Sequence, residues 1–90
     1  MHASPATADA PALHVAVFAG MAELVGGRTL VVPWPGGTVA DVRHLVATMY
    51  PAVAPLLGRS AVAVGGRYAA DDEAIRAGDD VAIIPPVSGG

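Results

Sequence analysis

Apolar residues alternate with small or polar ones over two short runs near the start of the chain. In the first, Leu13 to Ala19, one side carries Leu13, Val15 and Val17 and the other His14, Ala16 and Phe18, which is the period of a strand. In the second, Arg28 to Trp34, Leu30, Val32 and Trp34 fall together before Pro35, Gly36 and Gly37 break the run. Between them, Gly20 to Gly27 suits a single helical turn closed by Gly26 and Gly27, so the strands form an antiparallel pair across a connection of about eight residues. The period then changes. From Thr38 to Pro51, Val39, Val42, Leu45, Val46 and Met49 recur at helical spacing and define a core face, with Arg43 and His44 turned outward. Thr38 is a good N-cap, Asp41 favours the positive end of the helix dipole, and Pro51 stops the helix.

Ala52 to Gly58 reads as irregular or briefly helical, and Ser60 to Ala70 as a tight hairpin, because Gly65 and Gly66 accept the positive φ angles of a two-residue turn. Asp71 to Asp80 is an acidic connection with a turn at Gly78 and Asp79. The last run, "VAIIPP", is apolar on both faces, the pattern of a central strand. Strand, strand, helix, strand, strand, strand is an α+β order. By analogy it is that of the β-grasp, or ubiquitin-like, fold: a mixed sheet of about five strands packed on one main helix. The expected organisation is a disordered tail over residues 1–12, a β-grasp domain over 13–84, and an extended Gly-Gly tail over 85–90.

Composition narrows what such a domain does. Ninety residues at 53% hydrophobic content suffice for one small core. Mean hydropathy is +0.53, yet no stretch approaches the roughly 18 to 20 consecutive apolar residues of a spanning helix, so a soluble protein is expected. The opening "MHASPATADAPA" fits neither a secretory signal nor a transit peptide, and a cytoplasmic location follows as the expectation. The absence of cysteine excludes disulfides, thiolate nucleophiles and sulfur ligands. Net charge is −3, and the five basic residues, Arg28, Arg43, Arg59, Arg67 and Arg76, are spread singly; no stripe is offered to a nucleic-acid backbone. All five are arginine, so the chain contains no lysine.

The chemistry is concentrated at the end, "PPVSGG". Six extended residues reach about 20 Å, enough to thread into another protein's active site. Pro85 and Pro86 end the strand and aim Val87, Ser88, Gly89 and Gly90 outward, and the two glycines fit a channel closed to any side chain. A free α-carboxylate, with a pKa of about 3.3–3.7, is ionised at neutral pH and a poor electrophile. It reacts only once activated, for example as an acyl adenylate made by an ATP-using enzyme, after which a sulfur donor displaces the phosphate leaving group.

"LHVAVFAGMAELVG" near one end and "GDDVAIIPPVSGG" at the other resemble the small subunit of molybdopterin synthase, a family of ubiquitin-like sulfur carriers. The shared C-terminal motif comprises Gly78, Asp79, Val81, Pro85, Pro86, Gly89 and Gly90. The resemblance implies that Gly90 is the reacting group, adenylated at the expense of ATP by an E1-like activating enzyme and then thiocarboxylated. It implies no bound cofactor and no catalytic side chain. The partners it implies are that enzyme and the large synthase subunit, in a heterotetramer, where the sulfur passes to a pterin precursor of the molybdenum cofactor. Family members dock through an apolar patch whose matching positions are Phe18, Tyr68 and Ile84, and the alternation independently puts Phe18 and Ile84 on the sheet face away from the helix. The chain departs from the family at Ala22, where Arg is common, and at Gly65, where Asn is common.

Other signals point elsewhere. His2, His14 and His44 lack partners at metal-ligand spacing. Asp71, Asp72 and Glu73 read as a solvated run. Ser88 has no identifiable base, and Gly65-Gly66 lacks the lysine of a phosphate loop. Three further functions use the same architecture: a carrier for thiamine or cysteine synthesis, a ubiquitin-like modifier joined through Gly90 to target lysines, and a plain interaction domain.

Overall fold

The computed structural model describes residues 11–86. Strand β1 (Ala12–Ala16) pairs antiparallel with β2 (Thr29–Pro33), Leu13 opposite Val32 and Val15 opposite Leu30. The helix between them, α1 (Ala19–Val25), is longer than the single turn expected, and it closes where Gly26 takes a φ of +79°. Next come β3 (Gly37–Thr38), the main helix α2 (Val39–Met49), a 3-10 turn (Pro51–Val53) and α3 (Ala54–Leu57). The chain finishes with β4 (Ala61–Val64), β5 (Arg67–Ala69), β6 (Ala74–Ile75) and β7 (Asp80–Ile84).

The main sheet has the order β2-β1-β7-β4-β5. Its middle strand β7 runs parallel to β1 and antiparallel to β4, so the sheet is mixed. This is the expected β-grasp, with the doubly apolar last run at the centre. Val39, Val42 and Val46, spaced by three and four residues along α2, are buried in one core with Leu13, Val15, Val17, Val62 and Ile83 from the sheet. The apolar face of α2 stops short of its predicted end. Met49, assigned to the core by spacing, is 41% exposed in the last turn, and Val53 of the following turn closes that end of the core instead.

The start of α2 is built as a capping box. The Asp41 carboxylate accepts the Thr38 backbone N–H at 2.9 Å, while Asp41 N–H donates to Thr38 Oγ1 at 3.4 Å. This arrangement demands glycine at position 37: its φ is +152°, and a Cβ there would lie 2.6 Å from Asp41 Oδ2. In the β4–β5 hairpin, Gly65 and Gly66 have φ of +59° and +85°, the left-handed pair a two-residue turn needs. Among the described residues, Ala19 is the only non-glycine with positive φ, at +50°.

The acidic segment is more ordered than its composition predicts. β6 within it pairs with β3, and Ile75 is only 2% exposed. The indole Nε1–H of Trp34 donates to the Ile75 carbonyl at 2.9 Å, a buried bond that pins this segment beneath the end of β2. Arg43, expected to face solvent, instead ties three elements together: its Nε donates to Asp71 at 3.0 Å and its Nη1 to the Leu57 carbonyl at 2.6 Å. Two-residue strands are too short to leave an alternation, which is why sequence reading passes over them.

At the outer edge of the sheet, Trp34 N–H donates to Pro11 O and Arg28 O accepts from Val17 N–H. Even-numbered residues of β2 therefore face β1, and Pro33 falls at an outward position where a missing N–H costs no ladder bond.

The Trp34–Ile75 bond can be tested directly. Trp34→Phe keeps a ring in the core but leaves the buried carbonyl without its donor, an expected loss of about 2 kcal/mol. Thermal unfolding followed by circular dichroism is expected to show a midpoint lowered by on the order of 10 °C, whereas an unchanged midpoint would mean the bond contributes nothing.

Candidate functional site

Strand pairing alone places the residues that matter. β7 ends at Ile84, so Pro85, half-buried, and Pro86, exposed, carry the chain off one end of the sheet. The predicted threading residues Val87, Ser88 and Gly89 and the reacting Gly90 lie outside the described residues. Beside β7, Ala82 is in register with Ala16 of β1 and with Ala63 of β4. Ala16 is in turn paired with Thr29, and Ala63 with Tyr68. One row of the uncovered sheet face thus reads Thr29, Ala16, Ala82, Ala63, Tyr68 across all five strands.

Three methyl side chains in the middle of that row leave a depression. The resulting trough, about 600 Å³, has an alanine floor and is bounded by Tyr68, Ile84, Thr29, His14 and Asp80. Tyr68 is 73% exposed at its wall and Ile84 is half-buried. An apolar floor with a polar rim is the ordinary anatomy of a protein-binding surface.

Of the three predicted docking residues, the structure brings Tyr68 and Ile84 onto this trough. Phe18 stands apart. It is 46% exposed and lines a separate hollow beside α1. Sequence reading missed the floor itself, although the signal was present: "VAV" in β1, "AVAV" in β4 and "DVAII" in β7 each set an alanine at an outward position. Small residues were read for phase and not for size.

Arg67, at the trough wall, donates from Nη1 to Glu73 Oε1 at 3.0 Å and from Nη2 to Oε2, a bidentate pair. The hydrogen bond from Arg67 holds the Glu73 carboxyl below its ordinary pKa, and the same bond raises that of Arg67. With Asp71 bound to Arg43, two of the three carboxylates expected to be merely solvated are paired. Among the described residues, no group of three or more His, Cys, Asp or Glu is placed to hold a metal ion. No described helix is long and apolar enough to cross a membrane.

The geometry is that of a scaffold presenting a face and an end, and the relatives agree. The ThiS family profile matches residues 15–90. The chain belongs to the ThiS family. Small archaeal modifier protein 1 of Haloferax volcanii is 37% identical over 83 residues, covering 82% of this chain and 95% of that protein. Its crystal structure superposes with a TM-score of 0.76 at 31% identity, covering 86% of this chain and 99% of that one. The molybdopterin synthase sulfur carrier subunit of Dictyostelium discoideum is 31% identical over 80 residues, with 84% and 93% of the two chains covered. The fold also recurs, at 18% identity and a TM-score of 0.62, in the complex of subunits 1 and 2 of molybdopterin-converting factor from Helicobacter pylori, covering 88% of this chain and 99% of that one. The ThiS-family chain is accordingly a ubiquitin-like protein of the sulfur-carrier and small-modifier kind.

The ion pair at the trough wall gives a pH prediction. Because the folded pKa of Glu73 is depressed, the pair stabilises the fold above the ordinary glutamate pKa of about 4.3 and is lost as pH falls through the lowered value. Carboxyl-detected NMR titration is expected to place Glu73 below that ordinary value in the wild type and to return it there in Arg67→Ala. A Glu73 midpoint identical in the two proteins would show that the pair does not form in solution.

Proposed function

We propose that this chain carries sulfur on its C-terminal carboxylate and delivers it within a molybdopterin synthase. The observation that supports this reading most is the course of β7: the central strand runs straight into Pro85 and Pro86 at the end of the sheet, with "VSGG" completing the sequence. A folded body followed in sequence by a short segment ending in two glycines suits a group that must enter another protein's active site.

In this reading, an E1-like adenylating enzyme joins the Gly90 carboxylate to AMP, and pyrophosphate leaves ATP. A hydrosulfide-level sulfur nucleophile then attacks the acyl carbon, the bond to the AMP oxygen breaks, and AMP departs, leaving a thiocarboxylate. Val87, Ser88 and Gly89 thread the partner's channel behind Gly90, following Pro85 and Pro86. Tyr68 and Ile84, on the trough, and Phe18, beside the tail root, contact the large synthase subunit, in which sulfur passes to the pterin precursor. The Dictyostelium relative, itself named a subunit of molybdopterin synthase, supports such a partner. The chain contributes no catalytic side chain, and ATP is consumed on the activating enzyme.

A second reading is favoured by one observation, the 37% identity to a protein named a modifier. In that reading the activated Gly90 carbonyl is captured by a target lysine amine and becomes an amide. The chain has no lysine of its own, so attachment through side chains would be single and never a lysine-linked chain.

Intact-mass spectrometry after co-expression with its adenylating enzyme separates the readings. The carrier is expected to gain the mass difference between one sulfur and one oxygen atom, and the variant lacking Gly90 is expected to gain nothing while unfolding at the wild-type midpoint. A terminus that stays a carboxylate, or that appears only in amide bonds to other proteins, would overturn the carrier reading.

A further inference from the structure

All five basic residues are arginine, and the structure separates them by what they do. Arg43 donates from Nε to Asp71 and from Nη1 to the Leu57 carbonyl, and Arg67 meets Glu73 with both terminal nitrogens. These contacts use the planar fork of a guanidinium, which an ammonium cannot imitate. Arg28 and Arg59 are exposed, and among the described residues neither side chain makes a hydrogen bond or an ion pair. Contact geometry therefore gives no reason for arginine over lysine at these two positions.

Strand register gives one of a different kind. Ile84, the last residue of β7, is opposite Ala61 of β4, so Arg59, two residues before Ala61, lies beyond the same end of the sheet as Pro85 and Pro86. On the other side of β7, Ala82 is level with Ala16, and Ala16 with Thr29. Arg28 lies one residue from that row toward the tail, its carbonyl accepting the Val17 N–H at 2.9 Å. Two strand spacings, about 10 Å, separate it from β7. The six residues after Ile84 span about 20 Å when extended, so both arginines are within reach of the chain's end. Arg76, also exposed, precedes Asp80 at the opposite end of β7, a strand length of about 15 Å further off.

A primary amine within that reach would be a competitor for the activated terminus. Lysine, with a pKa of about 10.4, is neutral in about one molecule in 2,500 at pH 7, and the neutral amine is a nucleophile. Attack on the acyl carbon of a Gly90 adenylate forms a C–N bond. The bond to the AMP oxygen breaks, AMP leaves with the electron pair, and the nitrogen gives its proton to water. The product is an amide, from which hydrosulfide does not recover the carrier. A short tether presents its end to its own root at millimolar effective concentration, so even a rarely neutral amine competes. Arginine stays protonated and offers no such lone pair.

We propose that arginine at positions 28 and 59 supplies charge around the tail root without a nucleophile, and so preserves the activated terminus for the sulfur donor. The proposal rests on the activation step of the carrier reading. It assigns these two residues a role in the fate of the intermediate and none in the chemistry that forms it.

The test incubates full-length chain with its purified adenylating enzyme and ATP, without a sulfur donor, and follows AMP release together with intact mass. Arg59→Lys and Arg28→Lys are each expected to accumulate a species lighter by one water, with the amide mapped to the substituted position by peptide sequencing. Arg76→Lys is expected to give at least about threefold less of it per AMP released, because its amine lies further from the root. Wild type, Arg59→Gln and Arg28→Gln are expected to give none. Adding hydrosulfide is expected to convert wild type fully to thiocarboxylate and to leave an amide fraction in the two root variants. All these positions are exposed, so unfolding midpoints are expected to stay at the wild-type value. AMP release with no amide in either root variant, equal amide in Arg76→Lys, or water loss by the wild type would overturn the proposal and leave the carrier reading standing. No AMP release with the wild-type chain would overturn the activation step, and both with it.

Discussion

The parallel pairing of β1 with β7 is the constraint on which the rest of the molecule depends. It joins the first strand to the last, so the sheet cannot close until nearly the whole chain has been laid down. Contacts between such distant segments carry a loop-closure cost that local turns do not. Once made, the pairing sets β7 at the centre of the sheet and aligns Ala16 with Ala82. The trough and the point where the last strand leaves the sheet are both consequences of that one register. A slip by one residue would turn Val81 and Ile83 outward and bring Ala82 and Ile84 into the core.

Much of this was legible before any coordinates. Alternation in "LHVAVF" and "TLVVPW" and the helical spacing of Val39, Val42 and Val46 are strong because each runs for several residues against a buried face. The glycine pair at the hairpin is equally plain, since few residues tolerate those dihedrals. What sequence reading missed was short or relational. β3 and β6 have two residues each, Arg43 is held by groups 14 and 28 positions away, and Met49 is exposed because the chain turns before a partner can cover it. The alanine floor belongs to the same class: each methyl is unremarked in its own strand, and a depression exists only when three strands are set in register.

In the carrier reading, the division of labour between face, end and body is what lets so small a domain act without a catalytic side chain. Its core fixes the sheet, the sheet fixes where the last strand stops, and in that reading the reactive atoms lie beyond it, on the backbone itself. In the carrier reading every proton transfer and charge stabilisation belongs to the partner. The burden on this chain is one of shape, namely presenting complementary surfaces while leaving its terminal glycines narrow enough to be admitted.

Pro33 has a consequence for the molecule in solution. An open β-edge is a template on which further strands accumulate, and here the longer of the two edges is interrupted by a residue unable to donate, while the opposite edge has only the three residues of β5. Neither side of the sheet invites another copy to extend it. Both margins of the sheet are thereby kept inert against self-association.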